Sequence, residues 1–455
     1  MNILFVSHNS FKKGTIFGGT EHLFKEIHDR SDEFGLNLYF MTPKITKKTI
    51  KWEIRNGKKV VETFTQKRTT SEPFYFGGSE YSTWFSSILV KLDIRTLHMF
   101  HHLWIPLSSI PIAKNLDLTT ILTIHDFSHI CDSFNLLDEK DEYCGVLESK
   151  DSLKCTECAT KRGSSVSNLT LLRASYSKVM FSVDFITVGT LFSKEHLISF
   201  YDVEPDKIRI IPPSVKSLDR EKENSSSSIL FLGNFTRAKG ADLCLEILRS
   251  NQLKNFDFIQ AGRIDPEFKR PLQELSKTMS LKSYGQYQLG QVPDIKAEIA
   301  FFGSIWPETF CIAATEASQL GLKLVVPNIG AFVDRFIDDP NVYFYNYGDG
   351  GSAISVLLKA ASSEYRPEVD IPSPSYANQI IALYCERIEF GQMIQKTGLH
   401  WNISNLNLLG FKNSDEGYVR NAVPSLVRIF LARVKKAGFR SALIDSYRYL
   451  LRFVK

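Results

Sequence analysis

No apolar run in the 455 residues approaches the ~18 needed to span a membrane as a helix, which argues against a spanning segment. The first residues, Met1 to His8, bring no basic stretch and too short an apolar run for a secretory leader. They read as a first buried strand, and the cytosol is the expected compartment. Cysteines number seven, too sparse for the disulfide framework of a small secreted domain. Neither sign of charge dominates, with 55 Lys and Arg against 50 Asp and Glu. No nucleic-acid reading motif stands out, so nucleic acid is not an expected partner. No Asp-x-Asp pair falls where a metal-bound diphosphate would be expected.

What is present is ordinary globular material, 43% apolar and 23% charged, long enough for two or three domains of ~150 residues. Short apolar runs read as buried strands at Ile3–Val6, Thr120–Ile124, Phe185–Val188, Ile229–Leu232, Phe256–Gln260 and Leu324–Val326. Helical patterns lie between them. That alternation predicts parallel sheets covered on both faces. After Ile208-Arg209-Ile210-Ile211-Pro212-Pro213 comes a charged stretch ending in four serines, Ser225 to Ser228, and then a new strand. This is read as the link between two doubly wound domains, 1–216 and 217–371.

Two glutamates carry the most information. Ala300 to Ile305 reads as a short buried strand, Pro307 and Thr309 break regularity, and Phe310 to Leu320 reads as a helix. Glu308 then lies in the loop feeding the helix, and Glu316 lies inside it, roughly 9 Å beyond its start at ~1.5 Å per residue. A helix start offers free N–H groups and the positive end of the helix dipole, which suits a phosphate. Carboxylates flanking that point can each hold sugar hydroxyls. The plain alternative is an exposed loop Glu and a solvated helix Glu.

Other loops point the same way. Gly18-Gly19 precede a helix after the first strand, where backbone can approach a ligand closely; a flexible turn is the plain reading. His125-Asp126 end the strand Ile121–Ile124, at the edge where open α/β sheets bind ligands, or they form a buried structural pair. Gly233 to Gly240 follows the first strand of the second half and contains Arg237 and Lys239.

Glu308 and Glu316, with seven residues between them, resemble the E-x7-E signature of retaining glycosyltransferases of the GT-B fold, family 4 (glycosyl transferases group 1). The resemblance covers roughly residues 1–390 and is strongest over 229–335. It implies an α/β GT-B architecture, two doubly wound Rossmann-like domains facing across a cleft. It further implies a helix, within 372–390, that crosses back to the first domain. Residues 391–455 lie outside the resemblance and read as a basic helical extension. In that family Glu308 would touch the transferred sugar and Glu316 the ribose. His125 would lie near the sugar, and Lys239 would clamp the diphosphate. Gly18, Gly19, Gly290, Val292, Phe310, Cys311 and Ile312 would meet the donor. Two departures stand out. Asn234 replaces the family's arginine, with Arg237 as the nearest substitute, and Cys311 replaces its glycine.

The resemblance implies transfer of a hexose from a UDP- or GDP-sugar to a hydroxyl of a glycan or lipid-linked acceptor, with no catalytic cofactor. A sugar-binding protein without chemistry, or a GT-B epimerase or phosphorylase, is the alternative. Cys131, Cys144, Cys155 and Cys158 cluster within an insertion, 131–158, ending in Cys-x-x-Cys. Structural zinc and unligated thiols both remain open. From Arg420 to Lys455 nine basic residues stand against Asp445 alone, a net +8, which leaves −3 for the rest. Apolar residues there repeat at helical spacing, so the tail reads either as a peripheral anchor on an anionic membrane surface or as a packed appendage.

Overall fold

The computed structural model describes residues 1–8, 19–68, 77–150, 152–164, 166–215, 227–287, 292–365 and 375–384. Gly18, Gly290, most of the serine-rich link and the basic tail lie outside the described residues. Among the described residues no helix is long and apolar enough to cross a membrane.

The first sheet contains β1 (Asn2–Val6), β2 (Asn37–Ile45), β3 (Thr49–Asn56), β4 (Lys59–Lys67), β5 (Ile94–Met99), β6 (Thr119–Thr123), β7 (Phe185–Val188) and β8 (Ile208–Ile210), in the order β4-β3-β2-β1-β5-β6-β7-β8. The second contains β9 (Ser228–Leu232), β10 (Asp257–Ala261), β11 (Leu281–Ser283), β12 (Ile299–Phe301), β13 (Lys323–Pro327) and β14 (Val342–Tyr345), in the order β11-β10-β9-β12-β13-β14. Every pairing in the second sheet is parallel. The central strands are fully buried, with Ile3, Leu4, Phe5 and Val6 at 0% exposure. Each side chain so covered contributes about 1.5–3 kcal/mol.

The first sheet is not wholly parallel, as the apolar runs had suggested. β2–β3 and β3–β4 pair antiparallel and form an edge meander. Its second turn is the two-residue loop Gly57-Lys58, with Gly57 at φ +53° in the first loop position, where such hairpins favour glycine. The strand order reverses beside β1 in one sheet and beside β9 in the other. Ligand crevices of open α/β sheets form at the carboxyl ends of strands at such reversals.

Residues 376–384 are helical and pack Tyr376, Ala377, Ile380, Ile381 and Tyr384 against Ile3, Phe5, Leu23, Phe24 and Ile27 of the first half. The Tyr384 hydroxyl bonds His98 Nδ1 at 2.7 Å, His98 Nε2 bonds Thr123 Oγ1 at 2.7 Å, and Thr123 bonds Thr187 at 2.7 Å. Burial pushes His98 down to about 3, so the imidazole is neutral and the chain of bonds carries no charge. Tyr384→Phe leaves a fully buried ring nitrogen unmatched. It should lower unfolding free energy by about 1–3 kcal/mol in urea titration; an unmoved midpoint would show that His98 finds another partner.

Candidate active site

The site grows from the loop after β12. Gly303 and Gly240 lie backbone to backbone. A Cβ on Gly240, whose φ is +75°, would sit 1.8 Å from the Gly303 carbonyl oxygen. The strand that was expected over Ala300–Ile305 therefore stops at Phe301, because the chain turns to meet Gly240. Lys239 sits just before that contact, in one tight 3-10 turn, Arg237–Lys239, capped by Thr236 Oγ1 on the Lys239 N–H.

Glu308 is 3% exposed. Its Oε1 pairs with Lys239 Nζ and accepts from Ser304 Oγ at 2.6 Å. Its Oε2 makes no hydrogen bond among the described residues. Burial alone would lower the Lys239 ammonium, but the Glu308 charge outweighs it and raises the group above its ordinary value. Lys239 Nζ also lies 5.4 Å from the Trp306 ring centre.

The helix expected over Phe310–Leu320 runs Ile312–Gln319. It starts late because Cys311, at φ +64° and ψ +79°, is left-handed. That conformation costs a non-glycine residue ~1–2 kcal/mol and glycine little, which gives a physical reason for glycine at this position in the resembled family. Burial, then the nearby Glu308 charge, pushes the Cys311 thiol up to about 11, so it is not a thiolate at neutral pH. Ile312 approaches the first half closely: a Cβ on Gly19 would lie 2.7 Å from Ile312 Cδ1. Glu316 is 0% exposed and accepts from the Tyr287 hydroxyl at 2.8 Å. Val292 packs in the same cluster as Tyr287.

His125 follows β6. Its carbonyl oxygen accepts from Thr309 Oγ1 at 2.6 Å, which ties the edge of the first sheet to the Glu308 loop. Its ring is buried edge-on to Phe100 at 4.4 Å, and Nε2 has no hydrogen-bond partner among the described residues. Burial, reinforced by His101, pushes it down to about 3. Burial opposes ionisation of Asp126, yet the His101 contact at 3.5 Å and the Ser128 bond outweigh it and hold that carboxylate well below the usual range.

Arg237 is placed elsewhere than the sequence suggested. Its guanidinium bonds Asp242 at 2.9 Å and Glu267 at 3.0 Å, and lies 3.6 Å from Asp141. Three carboxylates match the charge that was to stand in for the arginine missing at Asn234. Ser304, Thr309 and Tyr287 were not picked out from sequence; single hydroxyls in loops carry no spacing signal.

Cys131, Cys144, Cys155 and Cys158 are unpaired and line one cavity of about 200 Å³. Arg162 donates to Cys131 Sγ at 3.4 Å and Arg173 to Cys155 Sγ at 3.3 Å. Among the described residues, no group of three or more His, Cys, Asp or Glu side chains is arranged to hold a metal ion.

Two Rossmann-like parallel sheets with their site at facing strand edges define the GT-B fold of glycosyltransferases. Solved structures share it. A glycosyltransferase from Rickettsia africae is 15% identical, with 87% of this chain and 99% of that one covered, at a TM-score of 0.50. Sucrose-phosphate synthase from Thermosynechococcus elongatus is 13% identical, with 87% and 98% covered, at 0.53. The catalytic domain of starch synthase IV from Arabidopsis thaliana, bound to ADP and acarbose, is 12% identical, with 85% and 99% covered, at 0.51. Residues 216–357 match the family model Glycosyl transferases group 1. That segment contains Lys239, Glu308 and Glu316. No curated protein sequence matches the chain.

The ion pairs differ in burial, and their removal should differ accordingly. Lys239→Ala strands a buried carboxylate and should cost about 1–3 kcal/mol of stability, whereas Arg237→Ala, on exposed pairs, should cost under about 1 kcal/mol. Equal losses in urea unfolding would show that Glu308 is not held by Lys239.

Proposed function

We propose that this protein is a retaining, metal-independent glycosyltransferase of family 4, moving a hexose from a UDP- or GDP-sugar to a hydroxyl of a glycan or lipid-linked acceptor. The observation that carries this reading is the Lys239–Glu308 pair, in which one carboxylate oxygen is fixed by Lys239 and Ser304 while Oε2 has no hydrogen-bond partner among the described residues. In the mechanism favoured for the resembled family, the sugar–oxygen bond to the diphosphate breaks as positive charge develops at the sugar ring. Glu308 Oε2 faces that charge. Lys239 and the start of the helix Ile312–Gln319 stabilise the negative charge that gathers on the leaving diphosphate. The acceptor hydroxyl enters on the same face and gives its proton to the leaving phosphate, so configuration is kept without a side-chain nucleophile. Glu316, with Tyr287 already donating to it, is placed to exchange that hydroxyl for those of a ribose. Neutral His125 supplies a hydrogen-bonding ring on the acceptor side of the cleft.

Release of nucleoside diphosphate, measured with and without acceptors, separates transfer from binding alone or epimerisation, and the anomeric configuration of the product reports retention. Glu308→Gln should lower kcat by about 100-fold or more with a smaller change in donor KM, because it weakens an interaction made chiefly in the transition state. Glu316→Ala should instead raise donor KM. Unaltered kinetics in both variants would remove this assignment.

We extend the proposal to the four-thiol cavity as a structural zinc site that forms on metal binding, the thiols not being arranged around an ion among the described residues. Four cysteines without disulfide partners line one space, and burial pushes the Cys131 and Cys144 thiols up, so that zinc would have to displace their protons. Elemental analysis of purified protein should find about one zinc per chain. Zinc-free protein with unchanged thermal stability would instead make the thiols packing for the two arginines.

A further inference from the structure

The helix Ala331–Phe336 carries a cation that the proposed chemistry has not used. Arg335 Nη1 donates to the carbonyl oxygens of Phe310 and, at 3.1 Å, Cys311; Nη2 donates to Thr315 Oγ1 at 2.7 Å. The guanidinium stacks 3.7 Å from the Phe310 ring centre and 4.5 Å from that of Phe336. No carboxylate pairs with it among the described residues. The neighbouring Asp334 accepts instead from the Phe192 N–H at 2.9 Å. Burial pushes Arg335 down to about 10, which still leaves it charged at neutral pH. Arg335 is half-buried, and a guanidinium withdrawn from water to this extent ordinarily gains from a carboxylate partner.

Peptide geometry gives the consequence. In a trans peptide the C=O and the following N–H point in opposite directions. Arg335 draws the carbonyls of Phe310 and Cys311 toward itself, so the N–H groups of Cys311 and Ile312 point away from it. Neither of those N–H groups donates to another group among the described residues. The turn they belong to includes the left-handed Cys311, a conformation that persists only where surroundings hold it. Arg335 bonds both of its flanking carbonyls. It also brings a positive charge to the side of the helix start opposite the free N–H groups, in a chain where Asn234 stands in place of the resembled family's arginine.

We propose that Arg335 is a positioning residue for the diphosphate of the donor: it fixes the Phe310–Cys311 turn so that two backbone N–H groups are presented to the anion, and its unmatched charge adds to their pull. This rests on the reading of the site as a nucleotide-sugar site. It differs from a purely structural role because the effect should track the ligand's phosphate charge.

The test compares UDP and GDP with the uncharged nucleosides uridine and guanosine by calorimetric titration. Arg335→Gln should weaken nucleoside diphosphate binding by about tenfold or more, the scale of one charged hydrogen-bonding group, and leave nucleoside binding nearly unchanged. Arg335→Lys, which keeps the charge but not the fork, should fall between. Because glycine takes the Cys311 conformation without strain, adding Cys311→Gly to Arg335→Gln should restore part of the loss. If Arg335→Gln does not fold, the Lys variant gives the same comparison. Equal diphosphate affinity in wild type and variants, or parallel loss of nucleoside and diphosphate, would overturn the role of Arg335 alone. Wild-type protein that binds neither UDP nor GDP would overturn the donor site and this role with it.

Discussion

The contact between two glycine backbones sets the position of everything in the second half of the site. Gly240 leaves no room for a Cβ beside Gly303, so the loop after β9 and the loop after β12 close on one another. That closure brings Lys239 within reach of Glu308 and stops β12 three residues after it begins. A lysine and a glutamate 69 residues apart in sequence would gain little as an exposed pair, because long side chains lose entropy and water screens them. Here the carboxylate is buried and the ammonium is delivered by a turn that cannot shift without breaking the glycine contact. The ion pair is thus the product of the backbone packing, and not its cause.

The same loop links the two sheets. Thr309 uses its hydroxyl on the His125 carbonyl and its own carbonyl accepts from Thr190 Oγ1 at 3.1 Å. Asp334 caps the start of the helix Leu191–Tyr201 through the Phe192 N–H. Phe127 of the first half meets Trp306 edge-on at 6.1 Å.

Continuous apolar strands were plain in the sequence because both faces of a parallel sheet are buried: Ile3–Val6, Phe185–Val188 and Ile229–Leu232 all lie within observed strands. β3 and β4 were hidden for the converse reason. They lie at an edge, alternate in exposure and include charged residues, so periodicity alone did not distinguish them from loop; Gly57 was the readable signal. Glu308, Glu316 and Lys239 could be singled out because their spacing survives in one dimension. Arg335 was not, because its role depends on three partners at separations of 20 to 25 residues that only the turn at Cys311 brings together. For a related reason, sequence proximity to the missing arginine said nothing of Asp141, which reaches Arg237 from the first half of the chain.

The state of Cys311 bears on why no side-chain nucleophile enters the proposed chemistry. A thiol at the mouth of a helix N-terminus would ordinarily be a good thiolate, since the helix end favours negative charge. In this chain burial and the Glu308 carboxylate act against the thiolate more strongly than Lys239 and Arg335 act for it, and the thiol keeps its proton. Glu308 is constrained differently. Lys239 and Ser304 both bind its Oε1, which draws charge toward that oxygen. The proposed same-face proton transfer to the leaving phosphate asks neither group for a covalent bond.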